Sequence, residues 1–171
     1  MIQRFGEHHP SVAATAFVHP LACLIGEVSV ADHATIWPGA VLRGDEGILA
    51  VGESSNIQDG TVLHNLGGFS TTHIGARVTV GHRVILHGCI VEDDCLIGMG
   101  SIIMDNARIG TGSLIGAGAV IPPNTIIPPN SYVLGVPGRV IRSTGEREKQ
   151  MIATGWRTYV DLGQRYAAST D

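Results

Sequence analysis

The sequence has few aromatic residues and no excess of basic ones. Aromatic side chains make up 5% of its 171 residues, while glycine alone contributes 23. Lysine and arginine together number 11 against 15 acidic residues, and they form no run. Because a protein that binds a phosphate backbone needs a basic face, this composition argues against nucleic acid as the main partner.

Cysteines and long apolar segments are also scarce. The three cysteines, Cys23, Cys89 and Cys95, have no CxxC spacing. They predict reduced, mostly buried thiols in a cytoplasmic protein rather than a disulfide scaffold. No apolar stretch is long enough to cross a bilayer and no secretory segment stands at the N-terminus, so we expect no membrane association. The length fits one domain with a substantial core.

What the chain has instead is an aliphatic residue at every sixth position. A helix would repeat every three or four residues and a half-buried strand every two, whereas a sustained period of six is typical of a parallel β-helix. The series are Val12, Val18, Leu24, Val30, Ile36, Leu42 and Ile48; Ile57 and Leu63; Ile74, Val80 and Leu86; and Val91, Ile97, Ile103, Ile109, Ile115, Ile121, Ile127 and Val133. Glycine often follows the aliphatic residue, and we expect it there because a tight corner favours its backbone freedom.

The pattern changes near the C-terminus. Residues 1–144 form the predicted β-helix domain, of which residues 1–10 are a lead-in strand or arm. In residues 145–171, apolar side chains recur at helical spacing, for example at Ile152, Trp156 and Tyr159. We therefore predict a C-terminal amphipathic helix and tail that fold back against the β-helix.

The repeat allows the turns to be counted. If three six-residue sides make one triangular turn, equivalent residues on successive turns stack at about 4.8 Å. Leu42 and Leu63 are 21 residues apart, which is one turn plus three residues in the stretch 44–55. Leu63 and Leu86 are 23 residues apart, which is one turn plus five residues in the polar stretch 65–72. The three leucines are thus predicted to form one column.

The residues directly after these leucines, Arg43, His64 and His87, then form a second column at a corner of the prism. Stacked histidines on neighbouring turns suit a shared metal ion, whose nitrogen ligands lie about 3.4 Å apart in a tetrahedral site. The same count places His82 one turn above Asp59, at a different corner. Other histidines are expected to be ordinary turn or surface residues, namely His8, His9, His19, His33 and His73.

Two corners of one prism cannot converge on one ion. Three copies packed around a threefold axis would bring the corner of His64 and His87 against the corner of His82 in the next chain. The counting therefore predicts a homotrimer whose metal sites are shared between chains.

Several segments resemble the γ-class carbonic anhydrase family of hexapeptide-repeat proteins. The resemblance covers nearly the whole chain, and spacing, residue type and order match in the segments Trp37–Asp45, Asn56–His64, Thr79–Cys89, Ile97–Gly100 and Leu134–Gly138. It implies a left-handed parallel β-helix, although parallel crossovers are otherwise almost always right-handed. It also implies a homotrimer with metal sites at the interfaces.

The resemblance implies reversible hydration of carbon dioxide to bicarbonate by a metal-bound hydroxide. His64 and His87 of one chain and His82 of the next would hold the metal, usually zinc, with iron or cobalt also possible. Neutral imidazole ligands leave the zinc its positive charge, which lowers the pKa of bound water to about 7.

The resemblance also suggests roles for nearby polar residues. Gln58 would orient hydroxide or substrate, with Asn56 in support. Arg43 would pair with Asp59 across the interface or assist bicarbonate, and Asp45 would hold Arg43. A purely structural ion pair is the alternative for Arg43 and Asp59.

The stretch 65–72 departs from the family pattern because it is short and lacks a carboxylate. Some family members have a glutamate there that transfers protons, so we expect Glu46 or buffer to take that task. Tyr159 resembles a tyrosine that neighbours the site in short-loop members.

Two other functions remain open at this stage. A hexapeptide-repeat acyltransferase shares the fold but needs one catalytic histidine rather than three. A metal-binding homologue with little hydrase activity, acting on an acyl or thioester substrate or serving a structural role, is the other.

Overall fold

The computed structural model describes residues 1–169 as a left-handed parallel β-helix of triangular cross-section followed by one α-helix. This confirms the predicted fold class. The last two residues of the predicted tail, 170–171, lie outside the described residues.

The strands form the three faces of the prism. The first face contains β1 (Ile2–Gln3), the start of β4 (Cys23–Val30) and of β6 (Val41–Val51), β8 (Val62–His64), β11 (Ile85–His87), β14 (Ile102–Ile103) and β17 (Val120–Ile121). The second contains β2 (Ser11–Val12), the ends of β4 and β6, β9 (Thr72–Ile74), β12 (Ile90–Val91), β15 (Arg108–Ile109) and β18 (Ile126–Ile127). The third contains β3 (Phe17–Val18), β5 (Thr35–Ile36), β7 (Asn56–Ile57), β10 (Thr79–Val80), β13 (Leu96–Ile97), β16 (Leu114–Ile115), β19 (Ser131–Leu134) and β20 (Arg139–Ser143). All of these pairings are parallel except that of β19 with β20.

The core is the stack of inward-facing aliphatic side chains. Leu42 pairs with Leu63 and Leu63 pairs with Leu86, and all three are 0% exposed. The turn count from the sequence is therefore correct at both excursions. Each buried leucine of this kind contributes about 1.5–3 kcal/mol to folding through its removal from water.

The prediction that Ile48 lies in the core is wrong. Ile48, placed six residues after Leu42 in the series, is 52% exposed, whereas Leu49 and Val51 are buried. The three extra residues lie before Leu49, inside β6, and the pairing of Leu49 with Val28 of β4 sets which side chains face inward. Since side chains alternate along a strand, Ile48 then points outward.

The prediction that the glycines after the aliphatic residues form tight corners is wrong. Gly98 is not among the residues with positive φ, but a Cβ there would lie 2.5 Å from the backbone nitrogen of Ala117 on the next turn. The left-handed corners lie further along each side, as at Gly100 (φ 70°) and Asn106 (φ 58°). Glycine at 98 thus permits close approach of successive turns, and the corners accept glycine or asparagine.

Helix α1 (Glu146–Ala168) begins after Gly145, whose backbone N–H donates to Glu148 Oε2 at 2.8 Å. The same carboxylate accepts two hydrogen bonds from Arg142, each 2.9 Å long. These bonds fix the first turn of the helix to the strand β20.

The helix packs on the third face, in contact with β3, β5, β7, β10 and β13. Ile152 is 4% exposed, and the ring of Trp37 contacts those of Tyr159 and Tyr166 at centroid distances of 5.3 and 5.2 Å. The helix therefore lies against the outside of the third face, where it covers polar residues.

The three cysteines are unpaired, and Cys89 and Cys95 are buried. Within residues 1–169, no helix combines the length and the apolar character that crossing a bilayer requires.

Candidate metal centre

Two histidines meet at the end of the first face. His64 is the last residue of β8 and His87 the last of β11, and the two are paired in register. The Nδ1 atom of His64 lies 3.2 Å from the Nε2 atom of His87. Two nitrogen ligands on one tetrahedral zinc are about 3.4 Å apart, so this pair already has the spacing that such an ion needs.

Carboxylates hold the outer ring nitrogens of both histidines. Asp45 Oδ1 lies 3.1 Å from His64 Nε2, and both oxygens of Asp105 lie 3.0 Å from His87 Nδ1. Metal-binding histidines commonly use their second nitrogen in this way, which fixes the tautomer and the ring orientation. Each imidazole therefore has its other nitrogen available for a metal, and the residues present fit a divalent cation.

The carboxylates are stabilised in their charged forms. Arg43 Nη1 donates a hydrogen bond of 2.6 Å to Asp45 Oδ2. Burial raises the pKa of Asp45, but the hydrogen bonds from Arg43 and His64 outweigh it, and the pKa lies below its ordinary value. Burial also raises the pKa of Asp105, but the hydrogen bonds from Ser70 and His87 together outweigh it, and the pKa lies below its ordinary value.

Asp105 and Ser70 were not among the residues predicted from the sequence. The turn count contained a signal for Asp105, because Leu86 pairs with Ile103 and Asp105 follows two residues later, diagonal to His87. The predicted column ends at His87, one turn before Asp105, so this carboxylate was not predicted.

A second group lies at the opposite edge of the first face. Asp59 follows β7 and His82 follows β10, at equivalent positions of neighbouring turns. The Nδ1 atom of His82 lies 2.9 Å from Asp59 Oδ2, and the two side chains are 44% and 48% exposed. This histidine is thus oriented by a carboxylate but open to solvent in the single chain.

The two groups are too far apart to share an ion within one chain. Asp59 lies in the turn before β8 and His64 is the last residue of β8, so the two groups lie at opposite ends of one side of the prism. In the part of one chain that is described, residues 1–169, no three potential ligands converge on a point. One chain therefore has two separate histidine groups, His64 with His87 and His82 with Asp59, and each is a candidate half-site.

A buried chain of amides lies under the helix. Gln58 Nε2 donates to Asn56 Oδ1 at 3.0 Å, and Asn56 Nδ2 donates to Thr79 Oγ1 at 3.0 Å. Gln58 is 5% exposed and Asn56 is 0% exposed. These bonds fix the orientation of the Gln58 amide and do not use its Oε1 atom.

Tyr159 and Glu46 lie near different half-sites. Burial raises the pKa of Tyr159, and the negative charge of Asp59 adds to this, so the phenol stays neutral beside the His82 corner. Glu46 Oε2 accepts a hydrogen bond of 3.3 Å from the backbone of Gly67, in the loop after His64.

Comparison with known proteins identifies relatives among the hexapeptide-repeat proteins. A family profile described as "Bacterial transferase hexapeptide (six repeats)" matches residues 88–123. The "Probable carbonic anhydrase" of Methanocaldococcus jannaschii is 50% identical over 143 residues, covering 84% of this chain and 89% of that protein. "Gamma carbonic anhydrase 1, mitochondrial" of Arabidopsis thaliana is 40% identical over 164 residues, covering 93% of this chain and 60% of the plant protein.

A crystal structure of a "hexapeptide transferase family protein" from Anaplasma phagocytophilum superposes with a TM-score of 0.92 at 37% identity, covering 96% of this chain and 97% of that one. Sequence identity of 40–50% to proteins named carbonic anhydrase, over most of this chain, is sufficient to assign the family. The chain belongs to the γ-class carbonic anhydrase-like family of hexapeptide-repeat proteins.

Proposed function

We propose that this protein is a metalloenzyme that reversibly hydrates carbon dioxide to bicarbonate, at three-histidine sites shared between the chains of a homotrimer. The observation that carries the proposal is the pair His64 and His87, whose facing nitrogens are 3.2 Å apart. Relatives named carbonic anhydrase support the same reaction. The unpaired cysteines favour a reducing compartment, and we assign the protein to the cytoplasm.

The surface between the two half-sites supports a trimer. The outward side chains that directly precede Leu42, Leu63 and Leu86 are aliphatic: Val41, Val62 and Ile85, of which the last two are 38% and 41% exposed. This strip is flanked on one edge by His82 and on the other by His64 and His87. A head-to-tail contact around a threefold axis would bury the strip and bring the two half-sites together.

Zinc, iron or cobalt would suit three neutral imidazoles. When bound, such a cation supplies a Lewis acid that lowers the pKa of water to about 7. The carboxylates of Asp45, Asp105 and Asp59 keep the second nitrogen of each histidine occupied, so that the free nitrogen of each ring faces the site.

Other residues would bind substrate and move protons. Gln58 Oε1 would accept a hydrogen bond from the attacking water and orient it. Arg43 would bind a bicarbonate oxygen or pair with Asp59 of the neighbouring chain. Glu46 Oε1 is the atom to which we assign the departing proton, since the loop 65–72 has no carboxylate. Tyr159 would close the site beside Asp59.

An acyltransferase is the second candidate, because the solved neighbour from Anaplasma is described as a transferase. That reaction needs one histidine base with a free nitrogen. The facing pair of His64 and His87, with each outer nitrogen bonded to a carboxylate, suits a shared cation better.

The experiment measures metal content, assembly mass and carbon dioxide hydration in one anaerobically purified sample. We expect a trimer with about one metal per chain, and expect His82→Ala to lose most of the metal and the activity. His73→Ala, at an exposed strand position outside both half-sites, is the matched control and should keep both. Stoichiometric metal without hydration by the zinc, cobalt or iron forms would refute the hydrase, and a monomer that retains metal would refute the shared site.

A further inference from the structure

The carboxylate of Asp105 connects His87 to a loop that has no other assigned role. Asp105 Oδ1 accepts hydrogen bonds from His87 Nδ1 at 3.0 Å and from Ser70 Oγ at 2.7 Å. Its second oxygen also lies 3.0 Å from His87 Nδ1. The carboxylate therefore lies between the imidazole and the end of the loop.

The loop after His64 is fastened at several points. Ser70 is 8% exposed, and its Oγ accepts the backbone N–H of Leu66 at 3.1 Å while donating to Asp105. Thr72 Oγ1 donates to the backbone oxygen of His64 at 2.6 Å and accepts from the N–H of Gly88 at 2.9 Å. The loop is thus bonded to both strands that carry the paired histidines.

Gly88 leaves the space that this arrangement needs. Its φ is 60°, in the left-handed region, and a Cβ built on it would overlap Ser70 Oγ and Asp105 Oδ1. Any larger residue at this corner would separate the serine from the carboxylate.

We infer that Asp105 is a positioning residue for His87 and that Ser70 acts through Asp105, so that the short loop sets the orientation of a metal ligand. This inference rests on the proposed metal site. Asp105 holds the proton of His87 on Nδ1, and the lone pair then lies on Nε2, the atom that faces His64. Ser70 keeps the carboxylate in the position where it meets the ring.

Metal affinity of four variants tests the inference. We expect Asp105→Ala to weaken Co²⁺ binding about 10–100-fold, the usual effect of removing a carboxylate behind a histidine ligand. Asp105→Asn should lose less, because the amide oxygen still accepts the Nδ1 proton. Ser70→Ala should weaken binding by less than Asp105→Ala, and the double variant Ser70→Ala/Asp105→Ala should bind no more weakly than Asp105→Ala alone.

Asp94→Asn is the matched control. Asp94 lies on a different corner and its carboxylate accepts two hydrogen bonds from Arg77, at 2.7 and 2.8 Å. Like the substitutions of Asp105, Asp94→Asn removes one negative charge and a carboxylate that is paired with a basic side chain. It should leave the Co²⁺ affinity and the visible spectrum of bound Co²⁺ unchanged. Circular dichroism and assembly mass check that every variant is folded.

A metal-free measurement separates this inference from the proposed function. In the ¹⁵N NMR spectrum of the metal-free protein at pH 8, His87 should be the Nδ1–H tautomer, and Asp105→Ala should give a mixture of tautomers. Unchanged Co²⁺ affinity in Asp105→Ala, with normal binding by the wild type, would overturn the inference and leave the metal site standing. If the wild type binds no metal, the proposed function fails. Whether or not metal is bound, a His87 tautomer that is the same in Asp105→Ala as in the wild type would overturn the inference.

Discussion

The approach of successive turns at Gly98 leads to a quantitative prediction for Gly98→Ala. The new Cβ would lie 2.5 Å from Ala117 N, 2.7 Å from Gly116 C and 2.8 Å from Ile115 O. Favourable contacts between heavy atoms are about 3.5–4.0 Å, so the two turns would have to separate by roughly 1 Å at this point. All three atoms belong to the backbone, and no side chain can move aside instead. We expect a cost of about 3 kcal/mol, at the upper end for overpacking.

For a chain of this length, about 3 kcal/mol corresponds to a fall in Tm of about 6–12 °C. Thermal unfolding followed by circular dichroism measures it, at one chain concentration because the Tm of an oligomer depends on concentration. Gly100→Ala is the matched control, since a Cβ there meets nothing within 4 Å and only the φ of 70° opposes it. Alanine in this left-handed conformation lowers the free energy of unfolding by about 1 kcal/mol. Gly100→Asn should lower it less, because Asn106 already adopts this conformation. A Gly98→Ala protein that is as stable as Gly100→Ala would refute the packing argument.

Two further predictions concern the thiols and the helix. Burial raises the pKa of Cys89 and Cys95 to about 12, so a thiol reagent should modify only Cys23 in the native protein and all three after unfolding; fast modification of all three in the native state would contradict this. Hydrogen bonds from Arg142 lower the pKa of Glu148 from 4.5 to about 2, so the stability that this carboxylate contributes is present above pH 4.5 and is lost as the pH falls towards 2. Acid unfolding followed by circular dichroism should therefore begin at higher pH without that ion pair than with it, and Glu148→Gln should be less stable than the wild type at pH 7 but not at pH 2.

Much of the fold could be predicted because the repeat is a counting problem. Each buried aliphatic residue marks one side of the prism, so the lengths of the excursions alone place Leu63 beneath Leu86 and His64 beneath His87. The count failed at Ile48, because the aliphatic residues at 48, 49 and 51 are all candidates for the inward-facing position. Only the strand pairing with β4 decides which of them face the core.

Hydrogen bonds between side chains on different turns were harder to predict. The contacts of Asp105 with His87 and Ser70 run diagonally and depend on the absence of a side chain at Gly88. Periodicity contains no information about such contacts. The role of Gly98 could not be predicted for a related reason, because the atoms that a Cβ there would meet belong to the next turn and not to its own corner.

Mixed trimers test most directly the proposal that each metal site is completed by two chains. His82→Ala keeps the His64–His87 half-site, and His64→Ala keeps the His82 half-site, so each should lose most of the metal in a homotrimer. When the two variants are co-expressed in equal amounts and assemble at random, about three quarters of the trimers are mixed and each has one complete site of three. We expect recovery of about a quarter of the wild-type metal content and hydration activity. No recovery in trimers shown by mass to contain both variants would contradict it.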